Sequence, residues 1–167
     1  MEGKAMLKRF EEWLRTQGWH MKLNAEANLN FNEDFIGRYP DIGSEYEDFL
    51  RIYKEVVSAD EKTWFLCGDD YNGASEAAFK WNEFENLSLE AAGDDSEWKD
   101  EIKEWWDKKL PIVISVKDGY SFYAIDLENG RGSIVRGKEP EFEETEVVAG
   151  SFFDFLDMVI RGEETIC

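Results

Sequence analysis

Histidine is almost absent from this chain: His20 is the only one in 167 residues. Most acid–base and metal chemistry of the usual kind goes with it. Cysteine is nearly as scarce. Cys67 sits in an apolar run and reads as packing, and Cys167 is the last residue, so no disulfide framework is expected and a reducing compartment fits. No Cys/His cluster has zinc spacing, and no glycine-rich phosphate loop precedes a helix. No apolar run approaches the ~18 residues of a membrane span. Residues 1–10 alternate charged and apolar side chains and lack the apolar core of a signal peptide, so the expectation is a cytoplasmic protein. Repeats and low-complexity linkers are missing too, which leaves one domain over residues 1–167, long enough to bury a core.

What is plentiful is negative charge and aromatic surface. There are 38 acidic residues against 19 basic, a net charge of −19, and aromatics make up 15% of the chain with seven Trp. Residues 1–60 carry −4, 61–110 carry −8 and 111–167 carry −7, so the excess is not confined to a detachable tail. Such a field repels nucleic acid and anionic membrane and steers basic proteins toward the surface. Charge alone is equally compatible with a solubility role.

Residues 111–160 organise the reading. The apolar run Ile112 to Val116, the segment Phe122 to Leu127 and Ser133 to Val135 are separated by Asp118-Gly119 and Asn129-Gly130. Both dipeptides favour positive φ and close tight turns, which predicts three consecutive antiparallel strands. Val147-Val148 predicts another short strand. Ser151, with Asp154 three residues on, predicts the cap of a closing helix whose apolar side carries Phe152, Phe155, Leu156, Val159 and Ile160.

Upstream, residues 4–16 show helical spacing (Leu7, Phe10, Trp13, Leu14) that stops near Gly18. Residues 19–31 suit a strand or an extended connection. Ser44 with Glu47 predicts a capped helix lined by Tyr46, Phe49, Leu50, Tyr53, Val56 and Val57. Thr63 to Cys67 reads as a buried strand, 68–73 as a loop, and 79–89 as irregular with a helical turn. Residues 97–109 predict a helix with Trp98, Ile102, Trp105 and Trp106 near one face, ended by Pro111. The charge run 136–146 reads as a solvated loop. The expected fold is α+β, an antiparallel sheet of about five to six strands with helices packed against it.

Three segments in order resemble the SUKH superfamily. They are Tyr39-Pro40 ahead of Tyr46, Phe49 and Leu50; the Asp118-Gly119 hairpin followed by Phe122-Tyr123 and Ile125-Asp126; and Ser151-Phe152 with Phe155-Leu156. Asn72-Gly73 lies further downstream than the family's Asn-Gly-Gly, and Ser121 stands where its second hairpin glycine is expected. The resemblance covers roughly residues 39–160. It implies an α+β domain that grips a partner protein without catalysis or cofactor. Bacterial members are largely immunity proteins that neutralise toxin domains, often nucleases, and a yeast relative regulates cell-wall synthesis through protein contacts.

The residues expected to meet a partner are Asp69, Asp70, Tyr71, Glu101 and Trp105. An aromatic anchor in an acidic rim is the composition of a protein-binding hot spot. Asp69, Asp70, Asn72 and Gly73 also suggest an oxygen-ligand loop, but Glu76 falls too early to close an EF-hand. No metal is expected. Two other readings stand beside the basic toxin partner: a regulatory scaffold, and a hydrolase built on two converging carboxylates, one with a raised pKa. Oligomeric state is open.

Overall fold

The computed structural model describes residues 2–25, 29, 31–73, 80–128 and 132–166. The expected Asn129-Gly130 turn, Phe79, Cys167 and residues 26–28 and 30 of the Asn-rich stretch lie outside them. The described chain runs α1 (Glu2–Thr16), β1 (His20–Leu23), α2 (Glu33–Arg38), α3 (Ser44–Ile52), β2 (Tyr53–Val57), β3 (Thr63–Phe65) and α4 (Gly68–Tyr71). It continues with α5 (Glu83–Ala92), α6 (Ser96–Asp107), β4 (Lys109–Ser115), β5 (Ser121–Asp126), β6 (Ser133–Lys138), β7 (Glu146–Ala149) and α7 (Phe152–Arg161). The fold is α+β, and all seven strands form one antiparallel sheet in the order β1 to β7. No helix of the described residues is long and apolar enough to cross a membrane.

Register decides which side chains share a face. Phe65, Val113, Tyr123 and Arg136 form one row across β3–β6, while Trp64, Ile114, Phe122 and Gly137 form the adjacent row on the opposite face. The first face receives α1, α3 and α7: Phe65 meets Phe10 at 5.2 Å and Phe49 at 5.5 Å, and Tyr123 meets Phe155 at 4.8 Å. The second receives α5 and α6, with Phe122 against Phe84 at 5.8 Å and Trp106 at 5.1 Å. Covered on both sides, β4 is apolar almost throughout, and residues 109–114 are all buried. Gly137 has a packing reason: a Cβ there would come within 2.6 Å of the Phe122 ring and 2.7 Å of the Phe142 carbonyl.

The closing helix forms as expected. Ser151 Oγ accepts from the Asp154 N–H at 3.1 Å, and Glu45 of α3 accepts from the Phe153 N–H at 2.9 Å. Two of the four orphan donors of α7 are thereby satisfied. Ser151→Ala should cost about 1 kcal/mol in urea denaturation, the usual worth of such a cap.

Several boundaries differ from the sequence expectation. Gly43 at φ +88°, not Ser44, is the N-cap of α3, and no side-chain cap bond forms there. Only glycine adopts that angle cheaply, which moves the boundary back one residue. The helix stops at Ile52, and Tyr53 and Val56 are buried on β2. Pro111 does not end α6. It lies inside β4 at a register shift, where its missing N–H is tolerated. Asp69 and Asp70 belong to α4 rather than a loop, and residues 83–92 are helical. Arg136 to Lys138 complete β6, so only the remainder of that charge run connects strands.

Candidate protein-interaction surface

Helix α6 starts where the Asp95 carboxylate accepts from the Trp98 N–H at 3.0 Å. Ile102 and Trp106 point inward, and Trp106 donates from Nε1 to Glu143 at 3.1 Å. At about 100° per residue, Trp98 and Trp105 are seven apart and stand within about 20° of each other, on one flank of that buried stripe. Trp98 is 47% exposed. Trp105 is half-buried, its ring edge-on to Trp106 at 4.8 Å and beneath the Lys109 ammonium at 5.0 Å. Glu101 lies between the two rings along the helix and about 60° further round, with Glu97 and Glu104 beyond it, all three exposed.

Lys109 is itself buried. Its ammonium reaches Asp126 at 3.3 Å and Glu128 at 3.8 Å, so the cation over the Trp105 ring is paired with carboxylates at and just beyond the end of β5. The result is an aromatic ridge, backed by a rigid core and bordered by carboxylates on α6 and on the end of β5. Aromatic area with few rotamers to freeze, inside a charged border, suits a protein contact.

The α4 residues behave differently. Tyr71 is 4% exposed, and its hydroxyl donates to the Pro111 carbonyl at 2.5 Å and pairs with the Tyr46 hydroxyl at 2.6 Å. Its ring packs on Phe35 at 4.7 Å and Trp81 at 5.7 Å. Tyr71 therefore has no ring to offer a partner, and its expected contact role is corrected on that ground. The Asp70 carboxylate accepts from the Cys67 N–H at 2.8 Å and so closes the α4 turn, while Asp69 is half-exposed. Cys67 is fully buried, which pushes its thiol well above the usual range and leaves it a packing group.

Of the expected contact residues, Glu101 and Trp105 share the ridge, and Asp69 and Asp70 sit on a separate short helix. Trp98 is the residue the sequence reading left out of the contact set. Its place one heptad before Trp105 was the available signal.

Among the described residues, no three His, Cys, Asp or Glu side chains come together as a metal group would require. A groove of about 750 Å³ crosses the ends of β4–β6 and is lined by Ser115, Lys117, Tyr123, Arg136, Glu144 and Ile166, among others. Arg136 is held there by Glu146 and, at 2.9 Å, by Glu164, which also accepts from the Tyr123 hydroxyl. Glu144 on its rim is fully exposed, and its carboxyl is raised because Glu141 hydrogen-bonds to it and repels its charge.

No family model matches the chain, and no curated protein matches it.

Proposed function

We propose that this protein is a binding module that occludes a basic partner, an immunity protein of the SUKH kind whose partner is a basic nuclease toxin domain. The observation that carries the reading is the Trp98–Trp105 ridge set among Glu97, Glu101, Glu104, Asp126 and Glu128. In a chain of net charge −19, that ridge combines a long-range pull on cations with a short-range apolar anchor. Steering governs the association rate, and ring burial governs how long the complex lasts. The motifs shared with SUKH proteins support the immunity assignment, and the sign of the charge supports a nucleic-acid-cutting partner, whose own surface must be basic to hold its substrate.

The test is a search of the neighbouring genes for a nuclease domain, co-expression with any such domain found, and binding kinetics on the pair. Protection of the cells is expected, with an association rate that falls at least about tenfold as salt is raised through the physiological range. Trp98→Ala should weaken the complex about 30-fold, chiefly by faster dissociation, as removal of a hot-spot ring does. Unprotected cells would remove the immunity role, and a salt-independent rate would remove the steering.

A further inference from the structure

Among the described residues, no strand pairs with the outer side of the last strand of the sheet. β7 pairs with β6, and the strand order ends there. Alternate N–H and C=O groups of such a margin point away from the sheet, ready to pair with another strand. The side chains give the same indication. Pro111, Ala124, Val135 and Val147 form one apolar row across β4–β7. The first three are buried, whereas Val147 is 70% exposed. An apolar row that runs into solvent is completed by the side chain of one more strand.

Charge selects what that strand carries. Residues 139–146 contain five glutamates and no Lys or Arg. Three are engaged: Glu139 accepts from the Tyr120 N–H, Glu143 from Ser88 and Trp106, and Glu146 pairs with Arg136. Glu141 and Glu144 are both exposed, and the turn in which the Glu144 N–H donates to the Glu141 carbonyl at 3.0 Å keeps them together, like charges that a cation would relieve. A second copy of this chain is disfavoured as the occupant, because it brings another −19 and a second set of glutamates to the same margin.

We propose that the free margin of β7 accepts an extended partner segment by strand addition, with β-branched residues continuing the Val147 row and a Lys or Arg seated between Glu141 and Glu144. The segment belongs to the same basic partner, so the inference rests on the proposed function for the sign of its charge. It places a second contact away from α6.

The test uses the isotope-labelled full chain and a short synthetic peptide that alternates Lys and Val, with two controls. One control replaces Lys by Glu, and the other N-methylates alternate backbone nitrogens. The Lys peptide should shift the amide signals of Val147, Val148 and Ala149 and protect them from exchange. N-methylation should weaken binding at least about tenfold, since it removes the ladder and keeps the charge. The Glu peptide should not bind, and Glu141→Gln with Glu144→Gln should weaken the Lys peptide about tenfold without affecting Trp98. Equal binding of the N-methylated peptide, or shifts confined to α6, would overturn strand addition. If the peptide fails while the cognate partner is still held through Trp98, this inference falls alone. If partner capture fails as well, the proposed function falls with it.

Discussion

Above about pH 10 this protein should unfold abruptly, with Tyr39, Tyr46, Tyr53, Tyr71 and Tyr123 ionising only as the structure is lost. Burial holds the phenols of Tyr46 and Tyr71 well above their usual range, and Tyr39, Tyr53 and Tyr123 are displaced the same way for the same reason. Below the ordinary phenol pKa both folded and unfolded chains keep these protons, so nothing is lost there. As pH rises past it, the unfolded chain releases protons that the folded chain must retain, and the equilibrium moves toward unfolding. Each such group contributes about 1.4 kcal/mol per pH unit. Tyr46 and Tyr71 together therefore contribute about 3 kcal/mol per unit, and the other three add in the same direction. Against a typical total of about 5–15 kcal/mol, one to two pH units suffice. Tyrosinate absorbance and far-UV circular dichroism, followed in one titration, should change together. Gradual tyrosinate formation with the dichroism intact past about pH 11 would refute the account.

The second large effect belongs to Arg38. Its two terminal nitrogens donate to the two oxygens of Glu85 at 2.8 and 2.7 Å, and its Nε donates to Asp107 at 2.6 Å. The guanidinium also lies 5.3 Å from the Tyr39 ring and 5.9 Å from that of Trp81. One side chain thus ties α2 to both α5 and α6, and the Glu85 carboxylate it holds is almost wholly buried. Glu85→Gln leaves that cation without its main counter-charge and should cost about 3 kcal/mol, as broken buried pairs do. Asp107 is half exposed, and Asp107→Asn should cost no more than about 1 kcal/mol. Replacing Arg38 and Glu85 together by Leu should recover much of the loss, because no unpaired charge then remains. Urea midpoints at unchanged slope measure all three. A Glu85→Gln midpoint within about 0.5 kcal/mol of the parent would show that water already screens the pair.

Where the pattern was local, the sequence was legible. The middles of β4, β5 and β6 and the capped helix α7 could be read from local pattern alone, although β4 begins at Lys109 and β6 runs on to Lys138, beyond the bounds that pattern suggested. The α3–β2 junction was obscured because Phe49, Tyr53 and Val56 satisfy a helical period while Tyr53 and Val56 also suit a strand. The β-branched pair Val56-Val57 was the better guide. That hidden strand, with β1 inside the ambiguous Asn-rich stretch, accounts for a sheet of seven rather than five to six strands. The candidate surface divided along the same line. Glu101 and Trp105 follow from helix phase, whereas the fate of Tyr71 depends on Tyr46 and the Pro111 carbonyl, both remote in sequence. The acidic pair before Tyr71 stays partly exposed on α4, but the ring that was to anchor a contact beside it is buried.

The order of strands also has a consequence for how the chain assembles. Hairpins from β4 to β6 close over short connections, but β3 reaches β4 only after residues 66–108 have been made. During synthesis, Phe10, Phe49 and Phe65 emerge long before Phe152 and Phe155, the rings of α7 that finally cover Phe49 and Phe65. The nascent N-terminal half therefore carries uncovered aromatic surface until translation is nearly complete, which makes it the stretch for a chaperone to shield.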